Sequence, residues 1–135
     1  MLATMARSGF RFARAADRLA TSDQRTPDEL LEALRANIDN RWSPPGGDAY
    51  SALSHDVIHG LDITVPLGMS GPSDECLLPV LSGAPKRSGY FDVDASGLRL
   101  RATDLDWTHG SGEEKDGTGV DHLLFLTGRR TPADR

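Results

Sequence analysis

The stretch DAYSALSHDVIHGLDITVP, residues 48–66, predicts a long helix that carries the candidate functional residues of this chain. Asp48 can cap the N-terminus of a helix, and the residue before Pro66 disfavours helical geometry. We therefore expect a helix that begins near Ala49 and ends no later than Val65. Apolar residues lie on two sides of its helical wheel, which is typical of an inner helix of a bundle.

Two histidines and one aspartate share a narrow stripe of this helix. At 100° per residue, His59 lies about 40° from His55, and Asp62 lies about 20° from it on the other side. Two imidazoles one turn apart can bind the same cation, so the pair predicts a divalent metal site, for zinc first and for nickel, iron or manganese otherwise. Asp62 is a candidate third ligand or an acceptor that orients an imidazole. The alternative is that the histidines satisfy hydrogen bonds in a packed helix and that Asp62 is a solvated charge near the helix end.

A catalytic zinc site uses three protein ligands and an open position, so the pair alone does not make a site. His109 and His122 are the remaining histidines of the chain and are candidate third ligands. A histidine in a turn, or at the start of an apolar run, is more often a surface or capping residue. The spacing therefore leaves the third ligand open, and it identifies no catalytic residue.

The segment TPDELLEALRANI, residues 26–38, predicts another helix with its own start signal. Thr26 and Glu29 have the spacing of a capping box, with a proline at the first helical position between them. The apolar residues repeat at four-residue spacing: Leu30, Leu34 and Ile38. We therefore expect a packing helix over about residues 27–40.

The first 25 residues contain more arginines than acidic residues. Four of the arginines fall on one face of a predicted helix: Arg7, Arg11, Arg14 and Arg18. An Arg-rich amphipathic start can be a transit peptide or a membrane-surface helix. The segment lacks the serine enrichment of transit peptides, so a solvated helix face is the simpler interpretation.

The segment WSPPGG, residues 42–47, interrupts helical structure, because it contains two prolines and two glycines.

Near its C-terminal end the chain changes from helical to alternating periodicity. In GLRLRATDLDW, apolar residues alternate with polar ones, which predicts a strand with one solvated face. Trp107 and Thr108 can continue into a second strand, HGSG supplies a turn, and GSGEEKDG is predicted as a turn and acidic surface. HLLFLTG, residues 122–128, predicts a closing helix or strand, with Gly128 suited to a helix stop. Before the strands, ECLLPVLSG predicts a short helix that is interrupted or started at Pro79.

Helices followed by alternating strands predict an α+β fold, and the length of the chain fits one domain with a small appendage. The net charge of −5 argues against nucleic acid as a partner, because neutralising phosphates requires a basic face. The single cysteine, Cys76, excludes an intrachain disulfide and indicates a reducing compartment, so we expect a cytoplasmic protein. Apolar runs are far shorter than the ~20 residues that cross a bilayer, so we expect no membrane partner.

Three stretches together resemble the mycothiol-dependent maleylpyruvate isomerase-like proteins of the DinB-like metal-binding superfamily. They are DELLEALRAN before a Pro-rich break, HDVIHGLDITVPLG, and GLRLRATDLDWTHGSGEE before a closing segment that ends LTGR, and they cover most of residues 5–130. The resemblance implies a partial DinB-like helical bundle over residues 1–88 and a small C-terminal α/β domain with a short sheet over residues 89–135. It also implies a divalent metal held by three side chains, and the thiol cofactor mycothiol. His55 and His59 match the later pair of metal ligands in the family. The implied activity is isomerase or transferase chemistry in which the thiol reacts with a small electrophile.

The chain departs from the family pattern because no histidine precedes His55, whereas the family takes its first ligand from an early helix. The resemblance therefore implies an N-terminally truncated family member with an incomplete metal site. A ligand from another subunit, or Asp62, would complete the site. Otherwise metal and catalysis are lost, and the chain is a structural or interaction module. A missing helix also leaves apolar surface uncovered, so we expect a homo-oligomer.

Overall fold

The computed structural model describes residues 12–41 and 47–130, and these residues form an α+β fold, as predicted. They contain five α-helices, a 3-10 helix and a small three-stranded sheet in the C-terminal part. The chain divides into two compact units, residues 1–41 and residues 42–135. Within the described ranges, no helix has the length and apolar character needed to cross a membrane.

The first unit contains α1 (Phe12–Ser22) and α2 (Pro27–Ala36). Two of the four arginines of the predicted basic face, Arg14 and Arg18, lie in α1, and the other two lie outside the described residues. The WSPPGG break likewise falls almost wholly outside them. The structure therefore describes only the second half of the predicted arginine face.

Helix α2 begins with the predicted capping box. Thr26 Oγ1 accepts a hydrogen bond from the Glu29 backbone N–H at 3.3 Å, and Glu29 Oε2 accepts one from the Thr26 N–H at 2.7 Å. The helix ends at Ala36, earlier than predicted, where the side chain of Asn37 donates to the Ala33 carbonyl. No residue of α2 is buried, so the prediction of a packing helix is wrong within this chain.

The second unit contains the remaining helices: α3 (Ala49–Thr64), α4 (Asp74–Gly83), a 3-10 helix (Ala84–Phe91) and α5 (Gly119–Leu126). Helix α3 has the predicted bounds, and the Asp48 side chain caps it by accepting the Ser51 N–H at 2.8 Å. Its buried residues lie on one face: Ser54, Val57 and Leu61. The prediction of an inner helix buried on two sides is wrong, because Ile63 is 62% exposed and both histidines face solvent.

Helix α4 runs through Pro79 instead of stopping or starting there. Pro79 lacks the N–H that would bond the carbonyl four residues earlier, so the helix loses one internal hydrogen bond. Three residues of α4 are buried and supply the compensating packing: Leu77, Val80 and Leu81. The 3-10 helix follows α4 directly. It ends at Phe91 and is capped by Asp92, which has a positive φ of 57°.

The sheet has the strand order β2-β1-β3, with β1 (Leu98–Ala102) in the centre. β2 (Thr108–Gly110) pairs antiparallel with β1, in the register Arg99 opposite Gly110. The predicted alternation is confirmed in β1, because Leu100 is buried with 1% exposure while both arginines of the strand are exposed. The helices therefore cover one face of the sheet, and the other face is solvated.

β3 (Glu113–Gly117) was predicted as acidic surface but is a strand parallel to β1. The chain reaches the far edge of β1 through Gly112, which has a φ of +123°. A Cβ at Gly112 would overlap the backbone of Gly97, so only glycine fits this crossing. The acidic side chains of β3 then pair with the exposed arginines of β1, as in the contact of Arg101 Nη2 with Asp116 Oδ2 at 2.5 Å.

Helix α5 closes the core, and it settles the helix-or-strand alternative in favour of a helix. Thr118 and Asp121 form a second capping box, and Gly128, with a φ of +71°, follows the helix as its predicted stop. One cluster of buried residues joins α3, α4, β1 and α5. The boundary predicted between residues 88 and 89 falls inside the 3-10 helix and stays a prediction.

Candidate functional site

A cavity of about 640 Å³ is lined by α3, α4, the 3-10 helix and residues that follow α5. Apolar side chains such as Ile58, Val80 and Phe91 form much of its lining. Its polar side chains include two histidines and two arginines: His55, His59, Arg87 and Arg129. This size, with a few polar groups on an apolar wall, is typical of sites for small ligands.

The two histidines lie side by side at this cavity, as their spacing predicts. Their ring centroids are 4.6 Å apart, and the ring planes meet at 66°. The side chain of His55 is 50% exposed and that of His59 is 58% exposed, so both can reach a ligand from solvent. Both rings are exposed, and each contacts a carboxylate, so the choice between a metal site and histidines that only satisfy hydrogen bonds stays open.

Asp62 lies beside His59 but is held by an arginine from far along the chain. Arg129 Nε donates to Asp62 Oδ1 at 2.6 Å, and Arg129 Nη2 donates to Asp62 Oδ2 at 2.9 Å. His59 Nδ1 lies 3.0 Å from the same Oδ2 atom. This two-pronged ion pair joins the end of α3 to the segment after α5 and fixes the carboxylate against the imidazole.

The contact between His59 and Asp62 determines where the proton of a neutral His59 lies. A carboxylate only accepts hydrogen bonds, so Nδ1 carries the proton and Nε2 keeps the lone pair. The hydrogen bonds from Arg129 hold the pKa of Asp62 below its usual value, although partial burial acts in the opposite direction. The arrangement thus presents Nε2 of His59 as a metal ligand or proton acceptor.

His55 has a looser arrangement next to its own neighbour. Its Nδ1 lies 3.4 Å from Asp56 Oδ1, and the Asp56 side chain is 80% exposed. This contact is longer than the one at His59, and solvent screens it more strongly. The orientation of His55 is therefore less constrained by its carboxylate than that of His59.

Tyr50 forms one wall of the cavity, and its position depends on a glycine. The Tyr50 hydroxyl donates to the Val80 carbonyl at 3.2 Å, and the Arg87 guanidinium lies 4.7 Å from the centre of the Tyr50 ring. A Cβ at Gly83 would overlap the phenol. The absence of a side chain at Gly83 therefore permits this contact between α3 and α4.

Ser54 is a buried polar residue in the same cavity wall. The residue is 7% exposed, and its hydroxyl has no hydrogen-bond partner within the described structure. A buried hydroxyl without a partner is unfavourable in a packed core. Ser54 thus adds an unused donor to the lining of the cavity that the histidine pair also lines.

The other two histidines do not join this site. His122 is buried, its Nε2 lies 2.8 Å from the Arg101 carbonyl oxygen, and its ring packs 5.7 Å from that of Trp107. His109 lies on β2, and its ring stacks on that of Trp107 with the centroids 6.1 Å apart. Neither histidine lines the cavity, so neither serves as the third ligand there.

Within residues 12–41 and 47–130, no group of three or more His, Cys, Asp or Glu residues is arranged to hold a metal ion. The predicted trio of His55, His59 and Asp62 contributes two imidazoles, whereas the carboxylate is bonded by Arg129 through both oxygens. Of the two roles predicted for Asp62, the observed contact matches the acceptor that orients an imidazole. Direct coordination by Asp62 stays a prediction.

The sequence did not indicate Arg129, Arg87 or Tyr50 as residues of the site. In the sequence, Arg129 is only the last residue of the LTGR segment, and its partner Asp62 lies 67 residues earlier. No local pattern relates two residues at that separation, so only the packing of α3 and α5 against α4 brings them together.

Comparisons with models of known protein families, with curated proteins and with solved structures give no match to this chain. The chemistry of the cavity therefore has to be inferred from its own geometry and from the motifs in the sequence.

Proposed function

We propose that this chain is a cytoplasmic divalent-metal-binding protein related to the mycothiol-dependent maleylpyruvate isomerases of the DinB-like superfamily. His55 and His59 bind the metal, zinc first among nickel, iron and manganese. Asp62 orients His59, and the cavity admits a small electrophile beside the thiol end of the cofactor. The observation that carries the proposal is the pair of adjacent imidazoles on the wall of a cavity.

The donor set fits a metal in part. Two neutral imidazoles suit zinc and its neighbours, and the His59–Asp62 contact is the kind of outer hydrogen bond that holds a metal-binding histidine in place. The remaining positions belong to solvent, to the thiol, or to a ligand beyond the described residues. When bound, such a metal favours the thiolate form of a coordinated thiol.

The chain's own residues would contribute binding and orientation. The apolar wall, including Ile58 and Phe91, excludes water from an apolar part of a ligand. Arg87 and Arg129 place positive charge at the cavity, which favours an electron-rich substrate. Reaction type and substrate identity follow from the resemblance and are part of the proposal.

Metal content is the first measurement that tests this function. We expect near-stoichiometric metal in the full chain purified without chelator and without a His tag. His55→Ala and His59→Ala should lose that metal, whereas His109→Ala, an exposed histidine outside the cavity, should retain it. Zinc at a hundredfold excess over its Kd should stabilise the parent protein by about 2.7 kcal/mol, and the first two variants should lose this gain.

A non-catalytic interaction module is the second candidate, and one observation favours it. The described residues supply two imidazoles but no third ligand beside them. Under this alternative, His55→Ala and His59→Ala change the free energy of unfolding equally with and without metal. Metal-free protein that zinc does not stabilise would establish the module and refute the metal site.

A further inference from the structure

The α2 face, defined as Leu30, Leu31, Leu34 and Ile38, is an apolar surface that the described part of the chain leaves exposed. The exposed fractions of its members are 39%, 45%, 72% and 83%. The first three belong to one side of α2, and Ile38 follows in the turn after the helix. Leucines and isoleucines clustered in this way on a surface mark an interaction site.

The length of α2 is a second reason to expect a partner. Helices shorter than about 12 residues are marginal in water, and α2 has 10 residues, none of them buried. Its capping box stabilises the N-terminal end only. Packing of the α2 face against another surface would supply the stabilisation that the helix lacks.

The charges beside the α2 face indicate what that surface is. Asp28 and Arg35 are seven residues apart, so they lie within about 20° of each other on one edge of the apolar stripe. Both are exposed, and Arg35 makes only a 3.9 Å contact with Glu32 in which both side chains remain mostly exposed. The edge is therefore negative toward the N-terminal end of α2 and positive toward its C-terminal end.

We propose that the α2 face binds the α2 face of a second copy of this chain, with the two helices antiparallel about a twofold axis. In an antiparallel pair, each edge meets the same edge of the partner in reverse direction. Asp28 then lies opposite Arg35 of the partner subunit, and Arg35 lies opposite Asp28 of the partner subunit. The axis passes between positions 31 and 32, near the middle of the three leucines of the α2 face.

A parallel arrangement lacks this match. The edge with Asp28 and Arg35 would then face the opposite edge of the partner helix, where the bordering residues, Ala33 and Asn37, carry no charge. The charge pattern thus selects the antiparallel homodimer among the ways of covering the α2 face. The dimer does not depend on a metal, so its test is independent of the function proposed above.

Sedimentation velocity of the full chain from about 1 to 200 µM tests the dimer. We expect a monomer–dimer equilibrium whose Kd rises about tenfold in Leu34→Ser, because the centre of the α2 face is lost. The matched control is Ile63→Ser, which removes an exposed apolar residue of α3 and should leave the Kd unchanged.

Charge reversal tests the antiparallel geometry. Asp28→Arg and Arg35→Asp should each raise the Kd about tenfold, because each places like charges opposite one another twice per dimer. An equimolar mixture of the two variants should dimerise as well as the parent, since both opposed pairs of the mixed dimer are then of opposite sign. A substitution that destabilised its own α2 helix would do so in the mixture as well. Recovery on mixing would therefore come from the opposed charges and not from helix stability.

Three results would overturn the proposal. The first is a parent chain that stays monomeric at 200 µM. The second is a dimer that Leu34→Ser does not weaken, which would place the contact elsewhere. The third is a mixture of the two charge variants that stays as weak as either alone, which would exclude the antiparallel pairing.

Discussion

At the scale of single residues, Asp62 connects the histidine pair to the segment that follows α5. The carboxylate receives two hydrogen bonds from Arg129 and one from His59, and it thereby links two segments of the chain to the histidine pair. Position 62 thus combines a structural role, through Arg129, with an orienting role, through His59. These two roles respond differently to pH and to substitution.

Replacing the carboxylate should make stability less dependent on pH. Because the folded pKa of Asp62 is lowered, its contribution to stability is present above the unfolded pKa and is lost as the pH falls through the folded pKa. We expect Asp62→Asn to lower the free energy of unfolding by about 1 kcal/mol at pH 7, a modest value because the ion pair is partly exposed to solvent. At a pH below the folded pKa, the difference between parent and variant should vanish.

Urea denaturation at neutral and acidic pH measures this difference. Asp56→Asn is the matched control, because Asp56 is a neighbouring carboxylate that is 80% exposed and makes only the longer contact to His55. It should change stability little at either pH. A loss in Asp62→Asn that persisted unchanged in acid would show that the ion pair with Arg129 is not its cause.

At the scale of elements, two helices with the same start signal have different surroundings. Thr26 caps α2 and Thr118 caps α5, each through a capping box with an acidic residue three positions later. Six residues of α5 are buried, whereas none of α2 is. The same local motif therefore begins one helix inside the core and one helix at the surface.

The two caps should contribute differently to global stability. We expect Thr118→Ala to lower the free energy of unfolding by about 1 kcal/mol, because α5 unfolds together with the core. Thr26→Ala should leave the main unfolding transition unchanged and affect only local opening of α2. Urea denaturation and amide hydrogen exchange of the two helices measure these effects, and equal global losses would show that α2 belongs to the same cooperative unit.

At the scale of the whole molecule, the buried core is contained in one part of the chain. All buried residues of the main cluster lie between Val57 and Leu126. The cavity is lined by residues of the same compact unit. Candidate site and core therefore share one unit, and the α2 face belongs to the other.

A fragment of residues 42–135 should fold without the first 41 residues. We expect cooperative urea unfolding with a free energy within about 1 kcal/mol of that of the full chain at a concentration where the chain is monomeric. A fragment of residues 67–135 is the control, because it lacks Val57 and Leu61 of the core and should not unfold cooperatively. Failure of the longer fragment to fold would show that the N-terminal unit is needed for the core.

Much of the fold was predictable from signals that act over a few residues. The capping box at Thr26, the stop before Pro66 and the alternation in β1 each involve residues close together in the chain, and the structure shows them as predicted. The stripe of His55 and His59 was predictable for the same reason, because helical geometry alone places them together. β3 was not predictable, because a strand rich in charge forms only where β1 offers arginines and a free edge.

By itself, the sequence determined where α2 begins, where α3 begins and ends, which face of β1 is apolar, and that two imidazoles share one side of α3. These properties follow from backbone geometry and from side chains that contact their own neighbours in the chain. Only the tertiary structure decided that Arg129 holds Asp62, that His122 bonds the carbonyl of Arg101, and that the α2 face stays exposed. Such contacts join residues far apart in the chain, and their partners are set by how the helices and the sheet pack rather than by any local pattern.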